Sequence, residues 1–298
     1  MASFRTLQTA NRRKTIGLLL GFGVLVWLVS YAAITYFGGT GGAIVPFAVA
    51  ISLISVWGSY YASDRLVLTM TGAHVIQESD NPKLFDLVQE VCIASGLPMP
   101  KVAIVVDDAP NAFATGRDPE HALIAFTTGI LNAMDREELQ GVIAHEMAHV
   151  GNRDTLVSAV AATTAGAIAL ISDFLMRIFW FGGRKNDHHS NPLALFASFI
   201  VILLAPLAAL LLKSAISRKR ESLADATAVE FTRNPTGLRR ALEVLAHDST
   251  VVRQRSTAVA HIWIESPLDV KAVSKLFSTH PRIQEWIALL KRLESGEA

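Results

Sequence analysis

Long apolar runs alternate with polar stretches along this chain, and their spacing predicts the architecture. The first run, Ile16 to Phe37, and the second, Ala43 to about Tyr61, are separated by a Gly-Gly-Thr-Gly-Gly turn, and no Asp, Glu, Lys or Arg occurs from Thr15 to Ser63. A membrane-crossing helix needs roughly 20 apolar residues, so the pair is expected to form a helical hairpin. Arg5, Arg12, Arg13 and Lys14 in front look like the start of a signal peptide. The apolar core of a signal peptide is only about 7–15 residues long, however, so the hairpin is expected to stay uncleaved. A third run, Thr155 to Ser172, leads into Asp173, Arg177 and Phe179-Trp180-Phe181, residue types suited to a membrane–water boundary. The fourth, Leu193 to Leu212, contains Pro206, which a membrane helix tolerates. Both approach spanning length, which favours two further spans over a pair of buried soluble helices.

Between the hairpins the pattern changes to that of a mixed α and β domain. Asn81 to Ser95 places Leu84, Leu87, Val88 and Val91 on one side of a helix. Lys101 to Asp107 is a β-branched run expected to be a strand, and Ala112 to Thr115 and Ala122 to Thr127 can pair with it, separated by a turn over Gly116 to Pro119. Asp135 is placed to cap a further helix, with Glu138 at the capping-box position. The expected division is a hairpin over 1–62, the first half of a domain over 63–154, a second hairpin over 155–216, and the rest of the domain over 217–298.

Charge fixes the orientation. Four basic residues precede the first run and Lys213, Arg218, Lys219 and Arg220 follow the fourth; the first turn has none and the turn between runs three and four has Arg184 and Lys185. Basic residues gather on the cytoplasmic side, so both termini and residues 63–154 are expected there. Over 298 residues the chain is 51% hydrophobic and 18% charged, with mean hydropathy +0.37, which excludes disorder and argues against a simple soluble domain. A net charge of +1 gives no reason to expect a nucleic-acid partner. The one cysteine, Cys92, cannot form an internal disulfide, which suits a reducing compartment.

The chemistry is concentrated at His-Glu-Met-Ala-His, residues 145–149. Helix positions i and i+4 share a face, so His145 and His149 can hold one ion, and two neutral imidazoles suit zinc. Glu146 lies about 100° further round the helix, where it can take a proton from water at the metal without being a ligand. A five-residue match of this kind also arises by chance, but here GVIA precedes it and Val150 follows, an apolar setting in which unpaired His and Glu are costly. A catalytic zinc normally has three protein ligands and one open position. Glu221, one helical turn from Asp225 in Ser217 to Ala226, is a candidate for the third, with Asp225 as acceptor for a ligand's imidazole N–H. By spacing alone this stretch fits equally well the basic end of a juxtamembrane helix with i,i+4 charge pairing.

HEMAH followed by NRD, then SRKRESLADA, then FSTHP at 277–281 resembles the HtpX family of membrane zinc metalloproteases, relatives of the CAAX prenyl endopeptidases, over nearly the whole chain. The resemblance implies a multi-span α-helical protein of the bacterial inner membrane with a cytoplasmic α+β, gluzincin-like protease domain. One zinc is expected per chain on His145, His149 and Glu221, with Glu146 as the base. It also implies a role in quality control of membrane proteins. The expected substrates are cytosolic loops or tails of membrane proteins, with soluble misfolded chains as a second class; the expected partners are the bilayer and other quality-control proteases. Asn111, Ala112 and Phe113 resemble the family's strand beside the cleft, where a substrate can add as a further strand; an ordinary edge strand is the alternative. Asp154 is placed either to orient a ligand or to mark the helix end. His280 gains an oxyanion-stabilising role from the FSTHP match, against a structural role at a helix start. Two positions depart from the family pattern. Ser222 stands where an aromatic usually follows the ligand glutamate, and Trp286 stands where related proteases often carry an arginine, with Arg282 as a possible replacement. His188 and His189, beside Asp187, are expected in a solvated outer turn, with surface metal binding as the alternative, and His74, His121, His247 and His261 have no partner at ligand spacing. Competing readings are a CAAX-type processing protease, which has more spans than the four here, and a non-catalytic adaptor with structural zinc, which would have no use for Glu146.

Overall fold

The computed structural model describes residues 13–24, 26–28, 44–160, 218–248 and 262–264, with isolated positions at 9, 250, 252, 286–288, 290, 291 and 294. Most of the second expected hairpin, together with His188, His189, His261, His280 and Arg282, lies outside the described residues.

Helix α1 is helical over 13–24 and 26–28, and α2 spans Ile44–Tyr61. The two touch where Ser52 Oγ donates to the Gly23 carbonyl at 2.6 Å; a Cβ on Gly23 would lie 3.1 Å from Val56. Leu18, Phe22 and Val26 of α1 are buried, while Ile16, Leu20, Val24 and Leu28 on α1 and Leu53, Ile54, Trp57 and Tyr61 on α2 are exposed. Among the described residues no helix is long and apolar enough to cross a membrane.

Helix α3 (Ser63–Thr71) stops at Gly72, whose φ of 69° a side chain would resist. The sheet follows: β1 (His74–Val75), β2 (Lys101–Val105), β3 (Ala112–Thr115) and β4 (Leu123–Thr127), in the order β1-β2-β4-β3. β2 and β4 run parallel from Lys101↔Leu123 to Val105↔Thr127, and β3 folds back antiparallel on β4 from Thr115↔Leu123 to Ala112↔Phe126. Both later strands were candidates to lie beside Lys101–Asp107, but only β4 does. The short β3–β4 turn makes those two neighbours and leaves β3 on the outside. That turn needs Gly116, with φ 136°, because a Cβ there would fall 2.5 Å from the His121 carbonyl oxygen.

Every residue of β4 is buried because both faces of the sheet are covered. Ile124 and Phe126, with Val102, enter one core against α4 (Pro82–Ser95). Leu123 and Ala125, with Ala103, Val105 and Phe113, enter a second core that includes Val67 of α3 and Trp263. Helix α4 begins at Asn81, whose side chain accepts from Leu84 N at 3.2 Å, and buries the expected Leu84, Leu87, Val88 and Val91. Cys92 beside them is buried and free, and burial pushes its thiol up to about 11.

After the short α5 (Thr128–Ala133), α6 (Arg136–Gly151) runs through the first core. It contacts α4, β3 and two later helices, α8 (Arg218–Thr232) and α9 (Pro235–His247); a helix α7 over 154–160 intervenes in sequence. Positions 142–148 of α6 are all buried, so the helix has no polar outer face over that stretch, in contrast to its exposed first turn at Arg136 and Glu137. Its close approach to α9 depends on Gly141: a Cβ there would lie 2.5 Å from Leu238 N and 2.7 Å from Leu238 Cα. Backbone atoms cannot swing aside as a side chain can. Gly141→Ala is therefore expected to cost at least about 1–3 kcal/mol, the usual cost of overpacking, read as a lower Tm of the detergent-solubilised protein. Wild-type stability would mean that α9 does not pack this closely.

Candidate metal centre

The N-terminus of α6 is held at both ends of a capping box. Glu138 N donates to Asp135 Oδ1 at 2.9 Å and Asp135 N donates to Glu138 Oε2 at 2.9 Å, as expected from the sequence. Arg240 of α9 adds ion pairs to Asp135 at 2.9 Å and Glu138 at 3.2 Å, so the helix bearing the HExxH residues is fixed against α9 from outside. At its C-terminus, Asn152 N donates to the Ala148 carbonyl, and Arg153 adopts φ 58°, a left-handed conformation that is uncommon for a residue with a side chain. This turn brings the next residue, Asp154, back to His149, and the chain re-enters a helix over 154–160. Asp154 stands at the helix break, and its Oδ2 lies 3.3 Å from His149 Nδ1.

His145 and His149 face each other with Nε2 atoms 3.1 Å apart, and Glu221 of α8 approaches both, its Oε2 lying 3.7 Å from His145 Nε2 and 3.6 Å from His149 Nε2. The three ligand atoms lie within 4.8 Å of one another. Tetrahedral zinc with bonds of about 2.0–2.2 Å separates its ligand atoms by about 3.3–3.6 Å, so the triangle fits that ion with sub-ångström adjustment. The far side of each ring is also provided for. His145 Nδ1 lies 3.0 Å from Asp225 Oδ1 and His149 Nδ1 faces Asp154, which leaves both Nε2 atoms for the metal. His145 and Asp225 are fully buried, Glu146 and Glu221 nearly so, and the His149 side chain is 12% exposed. Burial works against a proton on His149, but the charge of Glu221 and the hydrogen bond that His149 Nδ1 donates to Asp154 outweigh it and hold its pKa well above the ordinary histidine value. A buried pocket that sets three carboxylates around two imidazoles is suited to a divalent cation.

Other expected site residues are placed less simply. Asn111, Ala112 and Phe113 are all buried, and the outward backbone of Ala112 is already engaged: its N donates to Asn111 Oδ1 at 3.0 Å and its carbonyl accepts from Ile264 N at 3.0 Å. β3 is an edge strand by sheet order, yet its Ala112 position is not open. Trp286, where the family resemblance leads to an arginine, is completely buried, with its ring centroid 5.0 Å from that of His145. This contact was not legible in sequence, because residue 286 is far from residue 145 and no spacing rule joins them. His121 pairs with Asp118 at 2.6 Å, and His247 Nδ1 lies 2.7 Å from the Glu243 carbonyl oxygen.

Comparison with known proteins identifies the chain's relatives. Residues 78–294 match peptidase family M48. A protein described as a protease HtpX homolog from Streptococcus gordonii is 43% identical over 292 residues, covering 95% of this chain and 98% of the relative. A protein of the same description from Caldanaerobacter subterraneus is 42% identical, covering 96% and 97%. Among solved structures, Ste24p of S. mikatae superimposes with a TM-score of 0.50 at 16% identity, over 96% of this chain and 66% of that longer protein. That last likeness is one of fold.

Proposed function

The chain belongs to peptidase family M48, and we propose that this metalloprotease is a zinc endopeptidase of the bacterial inner membrane that cleaves misfolded or damaged membrane proteins on the cytoplasmic side. The observation that carries the reading is the buried cluster of His145, His149 and Glu221, with a carboxylate behind each imidazole and Glu146 next to the first ligand. When bound there, zinc supplies Lewis acidity, acidifying a coordinated water and polarising the scissile carbonyl. The rest of the work falls to the protein's own groups. Glu146 accepts a proton from the attacking water and passes it to the leaving amine nitrogen. Asp225 and Asp154 hold the two imidazoles with Nε2 inward. His280 is assigned to the oxyanion.

Membrane location is supported by the outward apolar faces of α1 and α2, which water would solvate poorly, and by the aromatic group Trp57, Tyr60 and Tyr61 at the end of α2. The guanidinium of Arg117, in the β3–β4 turn, sits 5.5 Å from the Tyr61 ring centroid, and Thr155 Oγ1 donates to the Gly116 carbonyl at 3.1 Å. The protease sheet therefore touches both chain segments that lead to apolar runs. This supports a site close to the membrane surface, within reach of juxtamembrane loops and tails.

The test is proteolysis by the full chain in detergent and in proteoliposomes, against casein, a membrane protein with a destabilised cytosolic loop and a prenylated C-terminal peptide. Chelation is expected to reduce turnover to background and zinc to restore it, with the loop substrate cut and the prenylated peptide spared. Chelator-resistant turnover would defeat the zinc mechanism, and preference for the prenylated peptide would favour a processing protease. A tag at Asn186 in cells, expected to be reachable from outside, tests the orientation; a protected tag would overturn it.

A further inference from the structure

We infer that Trp286 is a positioning residue for the metal centre: its indole holds the His145 ring in the orientation that presents Nε2 to the ion. The inference rests on the metal-site reading above and concerns a residue that neither the HExxH helix nor the Glu221 helix contains.

Asp225, His149 and Trp286 all lie against the His145 ring, beside Glu221 at its Nε2. Asp225 stands 3.0 Å from its Nδ1, the His149 ring meets it edge-on at 4.7 Å with an interplanar angle of 86°, and the Trp286 ring packs against it at 5.0 Å and 53°. The first two do not by themselves prevent rotation of the imidazole about its Cβ–Cγ bond. Asp225 is a single point at one edge, and His149 is itself a ligand that reorients with the metal. The indole is different because it is rigid and fixed: Trp286 is fully buried and shares the first core with Leu290, Leu242 and Met147. A ring that rotated would have to drive into that core, where side chains have little free volume. His145 is fully buried too, so no exposed orientation competes.

The chemistry of the pair favours the loaded state. An imidazole donating its lone pair to a cation becomes electron-poor, and the negative face of an indole attracts such a ring. Tryptophan does this without a charge of its own, so nothing at this position repels the ion. An alanine here would remove both the wall and the attraction, and the aim of the ligand would loosen.

The experiment uses the full chain in detergent, loaded with zinc, and reads the rate of metal loss to a chelator together with the thermal stability of the metal-free protein. Changes around a metal ligand typically alter metal affinity by about 10–100-fold. Trp286→Ala is expected to speed zinc release by about that factor, and Trp286→Phe, which keeps an aromatic face, to restore release to within about threefold of wild type. Trp286→Leu, which fills space without a π face, should fall between them and replaces the alanine variant if that one does not fold. With Co2+ in place of zinc, the visible absorption bands that report ligand geometry should change in the leucine variant and persist in the phenylalanine one. A purely structural tryptophan predicts the reverse pattern: a lower Tm of the metal-free protein in all variants, with zinc release and Co2+ bands unchanged. That pattern would overturn the inference. Failure of the wild type itself to hold zinc would instead overturn the metal-site reading on which the inference rests.

Discussion

Glu146→Gln is expected to lower peptide hydrolysis by about 10²–10⁴-fold, the usual worth of a positioned general base, while the protein keeps one zinc per chain. The amide has nearly the shape of the carboxylate and fits the same place on α6, where Glu146 is 3% exposed. It cannot accept the proton of the attacking water, so the loss falls on the chemical step and appears in kcat. Zinc content should not change, because the cluster is complete with His145, His149 and Glu221. Parallel measurement of metal stoichiometry and turnover separates the outcomes. Loss of zinc would make Glu146 a ligand, and near-wild-type turnover would place the base elsewhere.

The parts of this site that were legible in sequence are those that local spacing controls. A helix puts residues i and i+4 on one face whatever surrounds it, so His145 with His149 could be read from five residues, and so could the Asp135–Glu138 capping box. Glu221 and Asp225 obey the same rule, but nothing local says that α8 crosses α6 at this point. The assignment therefore leaned on family resemblance, while the structure supplies the crossing directly. The sheet was partly legible for a related reason. β2, β3 and β4 are runs of apolar residues between turn signals, yet pairing order is a long-range property, and β3 took the outer place. β1 was missed because two residues, His74 and Val75, are too few to show a period. Trp286 shows the limit most clearly. Its position marked only a missing cation, and the packing partner that gives it a role lies in another element.

Glu221→Ala should have the largest effect on the protein as a whole, because it acts on metal, activity and stability together. Removing one of three ligands leaves two imidazoles, which is too few for a stable catalytic zinc site. The loss of affinity should exceed the about 10–100-fold typical of residues that only orient ligands, and turnover should drop to background at any zinc concentration that does not itself cause aggregation. Stability supplies an independent readout. A metal present at about a thousand times its dissociation constant stabilises the folded state by about 4 kcal/mol, so the wild type should melt higher with zinc than with chelator, and Glu221→Ala should show little or no difference. The variant also takes away the charge that does most to hold the proton on His149, so that the imidazole should titrate closer to the ordinary histidine value. Asp225→Asn is the control. It leaves Glu221 in place and weakens only the support behind His145, so it should lose part of the zinc-dependent shift in Tm and retain some turnover. A folded Glu221→Ala protein with wild-type zinc occupancy would move the third ligand to Asp225 or Asp154. Both now face the Nδ1 side of an imidazole, 3.0 Å and 3.3 Å away. Either could bind an ion shared with both histidines only if its partner ring turned over, and Trp286 lies directly against the ring of His145.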